Sequence, residues 1–429
     1  MTQAVTTQPA PTPAAPAAAT GPAVPVASAP ATPSATPERL SRWRALIALA
    51  LLACTVLTAT QLVLSWNALR SARADAQQLI RVQEIKVDLL RADALATNAF
   101  LVGGLEPVSQ RAAYDEALAA ATTQIAAAAT AQGADEAALA ELSGIVVRYA
   151  ANMEVARSNN RQGLPVGAAY LRTASQDLRG RGMVVVDAVI DANATRAETA
   201  LADQHPLWIA LPGLLTIGLL VAGNQWIARR FHRRINPGVA AAAALVLGAG
   251  LVATGLSALQ ATDNATLRDG NYADLVAGAD ARSAANAARS NESLRLIARG
   301  SGKTFEDAWT AQAATVVTSV RETGQADLPA LWTTYADAHA ELVALDDGGD
   351  WEGAVALATT QDAGSATTDF EAFDSGVATV VDQNAGAVES ILGERTTVFL
   401  GAAVGALLAG LAAIVLAWRG IARRLEEYS

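Results

Sequence analysis

Four apolar spans, arranged as the same unit twice, constrain this chain more than any other feature of its sequence. They are residues 45–66, 207–227, 239–259 and 397–418. Each has about 20 residues without Asp, Glu, Lys or Arg, the length that a helix needs to cross the hydrocarbon core of a bilayer. Because backbone polar groups find no water there, each span is predicted to be a transmembrane helix.

Arginines near the span ends predict the topology. They precede the first span, fill a connector at residues 228–238 and occupy a tail at residues 419–429. Since such residues mark the cytoplasmic side, both termini and the connector are predicted inside, with residues 67–205 and 260–396 outside. The inner candidates for contact with a cytoplasmic partner or with lipid are Arg229, Arg230, Arg233, Arg234, Arg423 and Arg424.

Composition argues against several classes of protein. Cys54 is the single cysteine and lies in the first span, so a disulfide framework or a cysteine-based zinc site is excluded. No motif for a metal, a cofactor or catalysis stands out, which predicts a non-enzymatic protein without either group. Residues 260–396 carry 22 acidic and 8 basic side chains, a balance that repels nucleic acid. Residues 1–40, rich in Ala, Pro and Thr, are predicted to be a disordered cytoplasmic tail.

Each outer segment is predicted to be an up-down bundle of four helices. In the first, apolar residues recur at 4–3 spacing from Leu69 to Leu101, which indicates one long helix continuous with the first span. In the second, helices are predicted near 260–299, 303–323, 327–345 and 351–396. Neither segment shows a strand pattern. The fold class is therefore an all-α membrane protein with four transmembrane helices and two tandem extracytoplasmic four-helix bundles.

The two segments correspond residue by residue, which predicts an internal duplication. Residues 93–101 match residues 286–294, and Tyr149 falls opposite Tyr335. The copies differ in the first helix, whose seam in the second copy is small and polar. Such a seam buries little apolar area and predicts a looser bundle, unless that bundle leans on the first one or on a partner chain.

Polar residues at the distal ends of the bundles are the outer candidates for partner or ligand contact. Asn98 and Asn291 are paired by the repeat and are expected to bind a ligand or to fix helix register. The turn formed by Gly103, Gly104, Glu106 and Pro107 is either a partner contact or a plain turn. In the fourth span, Gly401 and Gly405 form a GxxxG motif that indicates packing within the four spans or a homodimer seam.

A family resemblance rests on three short motifs. Residues 98–107 are NAFLVGGLEP, residues 111–114 are RAAY, and residues 423–428 are RRLEEY. With the four-span layout, these motifs resemble actinobacterial four-pass membrane proteins of the GlnX type. The resemblance implies coupling between an extracytoplasmic amino-acid-binding lipoprotein and the cytoplasmic Ser/Thr protein kinase G. It implies no set of binding residues.

Three functions compete on the sequence. The first is a multi-pass transmembrane sensor that relays the binding of an extracellular amino acid, carried by a lipoprotein, to a Ser/Thr kinase. The second is a transporter or a transporter-associated membrane protein, because transporters often contain internal repeats. The third is an envelope scaffold. The nearly charge-free spans offer no obvious substrate pathway, which favours the sensor.

Overall fold

The computed structural model describes residues 36–102, 106–202, 206–231 and 236–425, and every regular element in them is helical. This confirms the predicted all-α class. The helices are α1 (Thr36–Val102), α2 (Val108–Ala131), α3 (Glu136–Arg161), α4 (Val166–Asp177), α5 (Met183–Ala202), α6 (Pro206–Phe231), α7 (Pro237–Leu267), α8 (Ala273–Ile297), α9 (Lys303–Glu322), α10 (Leu328–Asp347), α11 (Trp351–Thr359) and α12 (Ala366–Leu425). Two π-helical turns, Leu178–Gly182 and Arg268–Tyr272, join α4 to α5 and α7 to α8.

Three helical rods are long and apolar enough to cross a membrane: Ser41–Val102, Pro237–Ile297 and Ala366–Ala422. Helix α1 is continuous from its apolar part into its polar part, as the absence of a helix breaker after the first span predicts, and α12 is continuous as well. The second rod joins α7 to α8 through a kink at Gly270, whose φ of −113° and ψ of −110° are not helical. The remaining predicted span, residues 207–227, lies within α6, which accommodates Pro212 in its interior. The crossing of the bilayer by α6 stays a prediction.

The apolar parts of α1, α6, α7 and α12 share one core. Ile47, Leu51, Leu220, Val246 and Ala413 are buried in it. The outward faces of the three long rods carry large exposed aliphatic side chains. Because a soluble protein hides such side chains, this surface favours contact with lipid tails. Leu49, Leu251 and Leu408, one from each rod, are each more than half exposed.

Glycines allow α7 and α12 to approach closely. A Cβ on Gly238 would lie 2.7 Å from the Cα of Gly420, so a larger residue would push the helices apart. A Cβ on Gly401 or Gly405, by contrast, would meet no atom within 4 Å. The interpretation of that GxxxG motif as packing within the four spans is therefore wrong. The close contact between α7 and α12 forms instead at Gly238 and Gly420, which face each other's backbone.

The first bundle comprises α1 from residue 67 onwards and α2 to α5. Its core includes large side chains from α2 and α3, notably Tyr114, Leu142, Tyr149 and Met153, all fully or almost fully buried. Short turns connect the helices, and Gly163 adopts φ 68°, a left-handed conformation that glycine takes without steric cost. These helices follow the 3.6-residue spacing of apolar positions in the sequence.

The second bundle comprises α8 to α11 and α12 as far as residue 396. Aromatic side chains dominate its core, including Trp309, Trp332, Tyr335 and Phe373. The predicted unbroken helix over residues 351–396 is wrong, because the chain leaves the helix after Thr359 and resumes it at Ala366. Within this break Gly364 has φ 81°, and the Ser365 hydroxyl accepts a hydrogen bond from the Thr368 amide at 3.3 Å, capping α12.

The two bundles pack against each other along α1 and α8. Every residue from 283 to 296 of α8 is buried, because α1, α9 and α12 enclose this helix. Its small and polar side chains thus belong to a tight contact between helices. The second bundle leans on the first one, and the loose seam predicted for this helix is wrong.

Candidate functional site

The α1–α8 contact contains a buried polar cluster, which we call the interbundle seam: Asp93, Thr97, Asn98, Ser175, Arg179, Ser290 and Asn291. At its centre the Asp93 side chain is 0 % exposed. Its Oδ2 atom accepts hydrogen bonds from the hydroxyls of Ser175 and Ser290, both at 2.7 Å. One carboxylate oxygen therefore joins α1 and α4 of the first bundle to α8 of the second.

Arg179 supplies the positive charge of the interbundle seam from the first π-helical turn. Its Nε lies 3.5 Å from Asp93 Oδ2, and its Nη1 donates to Asn291 Oδ1 at 2.8 Å. A π-helical turn adds a residue to the helical repeat, which changes the direction of the following side chains, and such turns are frequent at functional sites. Arg179 thus ties the first bundle to the paired asparagine of the second.

The two predicted asparagines contact opposite bundles. Asn98, on α1, donates from Nδ2 to the Ala358 carbonyl at the end of α11, at 2.9 Å. Asn291, on α8, accepts from Arg179. Between them Thr97 Oγ1 and Ser290 Oγ lie 3.5 Å apart. The structure therefore brings Asn98 and Asn291 into one interface, where they fix the register of the two bundles.

The Ala358 carbonyl of α11 accepts hydrogen bonds from three other helices. Besides Asn98, it accepts hydrogen bonds from Arg289 Nη2 at 2.7 Å and from Thr367 Oγ1 at 2.8 Å. It is available because the α11–α12 break removes the helical hydrogen bond that would otherwise occupy it. The break and the interbundle seam are thus one structural unit.

A second buried cluster lies beside this carbonyl, inside the second bundle. Glu292, which is 0 % exposed, accepts from Arg289, from the Tyr335 hydroxyl at 3.0 Å and from His339 Nδ1 at 2.9 Å. His339 Nε2 lies 3.4 Å from Glu306, and the Trp309 ring stacks on the imidazole with centroids 3.7 Å apart. Imidazole protonation is therefore coupled to two carboxylates.

The charges in this cluster shift its pKa values in opposite directions. Burial alone would raise the pKa of Glu292, but the Arg289 charge and the hydrogen bonds from His339 and Tyr335 outweigh it and lower that pKa. Burial alone would lower the pKa of His339, but the Glu292 and Glu306 carboxylates outweigh it and raise that pKa. The pair therefore favours an imidazolium beside a carboxylate.

Residues 68–202 match a family described as an actinobacterial sensor domain. The first bundle is therefore similar to the sensor domains of that family. The matched range begins where α1 leaves its apolar part and ends at the end of α5, so it contains Asp93, Asn98 and Arg179. No curated protein and no solved structure matches the chain.

The distal end of the first bundle carries a cleft of about 210 Å³. Glu106, a predicted contact residue, lines it and pairs with Arg157 at 3.2 Å, while Pro107 precedes the first turn of α2. Arg157 also covers the Tyr114 ring at 3.9 Å. Gly103 and Gly104 of the same predicted turn lie outside the described residues. Three arginines line this cleft: Arg111, Arg157 and Arg161.

The predicted inner arginines lie at the opposite end of the rods. Arg229 is exposed near the end of α6. Arg230 follows it in α6, and Arg423 and Arg424 lie in the last turn of α12. Arg233 and Arg234 lie outside the described residues. Arg229, Arg230, Arg423 and Arg424 thus lie at helix ends on the other side of the molecule from the interbundle seam, so the described candidate positions form two separate groups.

Sequence reasoning missed the charged members of both clusters. Asp93 was noticed only as part of the repeat, and Arg179, Glu292 and His339 were not singled out. One signal was present: Asp93 and Thr97 lie four residues apart, on one face of a helix whose neighbouring positions are apolar. A charge inside an apolar seam indicates a buried partner, although it does not identify that partner.

The pH dependence of stability should report on His339. Because folding raises its pKa above the ordinary value of 6.5, the stabilisation is complete below pH 6.5 and is lost as pH rises through the folded pKa. We expect the melting temperature of the chain in nanodiscs to fall more steeply between pH 6 and pH 9, values chosen on either side of about 6.5, than that of a His339→Gln variant. His339 is the single histidine of residues 260–396, so the difference isolates this group. Parallel curves of melting temperature against pH for the parent chain and the variant would contradict the raised pKa of His339.

Proposed function

We propose that this chain is a transmembrane signal-transduction protein that senses an extracellular amino acid through a solute-binding lipoprotein and relays the signal to a cytoplasmic Ser/Thr protein kinase. The sensor domain supports a sensing role. The resemblance to GlnX-type proteins suggests the lipoprotein and the kinase. The chain itself is not an enzyme in this proposal, and the bilayer is its third partner.

Four transmembrane helices with both termini inside the cell complete the proposal. Helix α6 supports the fourth crossing, since Leu214 and Leu215 are more than 60 % exposed while Leu220 is buried against the other rods. Its last turns also stack against α1, where the Trp43 and Trp226 ring centroids are 5.8 Å apart. Tryptophans at that level suit the interfacial region of a bilayer.

An internal duplication explains the pairing across the interbundle seam. Thr97 and Ser290 are equivalent positions of the repeat and contact each other, as residues on a two-fold axis do. Asn98 and Asn291, the next equivalent pair, each contact the fourth helical segment of the opposite bundle. We therefore infer that the two bundles are copies of one unit that pack as a pseudo-dimer within one chain.

The observation that carries the proposal is the continuity of the rods. Helix α1 runs without a break for 67 residues, from Thr36 to the interbundle seam, and α12 returns over 60 residues. The interbundle seam is held by hydrogen bonds that can be exchanged. A partner that binds outside the cell and favours one arrangement of α1 against α8 would therefore shift these helices, and the continuous rods would carry the shift across the membrane. The inner arginines would then form the surface that the kinase binds.

Co-purification tests the proposal. The tagged full chain, extracted in native lipid from its own cells, is expected to retain both a solute-binding lipoprotein and a Ser/Thr kinase. Charge reversal at Arg229 and Arg423 should remove the kinase and leave the lipoprotein bound, because the two surfaces lie at opposite ends. Reversal of Arg172, an exposed arginine of the sensor domain, serves as the matched control. Recovery of neither partner would overturn the proposal.

A further inference from the structure

A cavity of about 260 Å³ lies between the two bundles, on the membrane-proximal side of Asp93 along α1. Four helices contribute to its wall: α1, α2, α8 and α12. The polar residues that line it are Gln83, Glu84, Asp88, Gln124, Arg282 and Asp382. The volume is below that of a typical drug-sized site, so an occupant would have to be small.

The charges around the cavity do not balance. Glu84 and Asp88 lie one helical turn apart on α1, and Asp382 approaches from α12. Arg282 is the single cation among the described lining residues, and Asp374 already engages it through two hydrogen bonds of 3.0 Å. Asp88 has no hydrogen-bond or ion-pair partner within the described residues. The cavity therefore has an excess of negative charge.

An amide oxygen in the same cavity lacks a donor. Gln83 is 3 % exposed and lines the cavity, yet its Oε1 accepts no hydrogen bond from the described part of the chain. A buried acceptor without a donor costs about 1–3 kcal/mol in proteins. Gln124 Nε2 donates to Glu84 at 2.8 Å and adds no positive charge. The cost at Gln83 and the excess of negative charge would both be relieved by one group that is a cation and a hydrogen-bond donor.

The raised pKa values of two lining carboxylates agree with a site that favours a cation. Burial raises the pKa of Asp88 to about 6, partly opposed by the Arg91 and Arg282 charges. Burial and the nearby Asp382 charge raise the pKa of Glu84. A cation placed among these groups would lower both pKa values.

The wall between the carboxylates is aliphatic, which favours a cation that carries an apolar part over a hydrated metal ion. Ile80, Val87, Leu275, Ala279 and Val381 complete the lining. A hydrated metal ion gains nothing from such a wall, and no group of three or more His, Cys, Asp or Glu that could hold a metal occurs in the described residues. A short alkyl chain with a protonated nitrogen matches both kinds of surface.

We propose that the cavity binds a small aliphatic amine in its protonated form. Its ammonium group, which has three N–H donors, lies among Glu84, Asp88 and Asp382 and donates to Gln83 Oε1. Its alkyl part contacts Leu275 and Val381. Since these residues come from α1, α8 and α12, a bound amine holds the two bundles together. This site is independent of the lipoprotein and of the kinase.

Calorimetric titration of the full chain in zwitterionic nanodiscs tests the proposal, with 1,4-diaminobutane as the probe. We expect saturable binding to one site at pH 7.5, weakened about tenfold or more by Asp88→Asn. The variant Ala279→Leu should also abolish binding, because it fills the cavity and keeps every charge. Asp191→Asn, an exposed carboxylate without a described partner, should bind like the parent.

Two further titrations separate this site from general charge attraction. Butane-1,4-diol should not bind, and the affinity for 1,4-diaminobutane should fall as pH drops through about 6, where Asp88 becomes protonated. Absence of saturable binding would overturn the proposal, as would equal binding by the diol or by the Ala279→Leu variant. Displacement of the diamine by equimolar Mg²⁺ would instead assign the cavity to a metal ion and overturn the amine assignment.

Discussion

Replacing Asp93 with leucine is expected to lower the melting temperature of the purified chain by about 6–12 °C. The substitution leaves the Arg179 guanidinium without its carboxylate and removes the acceptor of the Ser175 and Ser290 hydroxyls. Removing one partner of a buried ion pair lowers the free energy of unfolding by about 3 kcal/mol. Each kcal/mol lowers the melting temperature of a large domain by about 2–4 °C. The shift is measured by thermal unfolding in nanodiscs.

Two controls distinguish this effect from a general response to leucine. Asp115 makes an exposed ion pair with Arg111 at 2.9 Å, so Asp115→Leu should change stability by less than about 1 kcal/mol. The double variant Asp93→Leu/Arg179→Leu should recover part of the loss, because it removes the unpaired guanidinium as well. Hydrogen exchange should show faster opening of α1 and α8 in Asp93→Leu alone. A stable single variant would contradict the role assigned to Asp93.

The helices and the long rods could be predicted because they depend on local features. Apolar spacing along α1 and the absence of a breaker after residue 66 are properties of neighbouring residues, and both specify one continuous helix. The break between α11 and α12 was missed although Gly364 and Ser365 lie in it. Glycine and serine also occur inside helices elsewhere in this Ala-rich chain, so these two residue types do not indicate a break by themselves.

The contact between the bundles is one of two interpretations that the sequence of α8 leaves open. Small residues weaken a core that has to fill space, but they allow two helices to approach closely when another helix lies opposite. The position of α1 in the structure decides between these two interpretations of α8, a weak core and a close contact between helices. Asn98 and Asn291 were found through the repeat, whereas Arg179 was not, since a π-helical turn determines its direction.

A disulfide across the interbundle seam is expected to abolish the response to ligand altogether. Thr97→Cys and Ser290→Cys, in a Cys54→Ala background, place two thiols where hydroxyl oxygens lie 3.5 Å apart. An S–S bond is about 2.05 Å long, so the two sulfur atoms have to approach each other by about 1.5 Å to form it. If signalling requires α1 to move against α8, the oxidised variant should be locked in one state.

The measurement is the phosphorylation state of the kinase's substrates in cells, before and after the extracellular amino acid is added. Reductant should restore the response of the double variant, and each single cysteine variant should respond as the Cys54→Ala background does. Because the cross-link adds a bond at a position already in contact, it tests movement rather than folding. An oxidised variant that still responds would show that the signal does not travel through the α1–α8 contact, and the continuous rods would then have to move as one body.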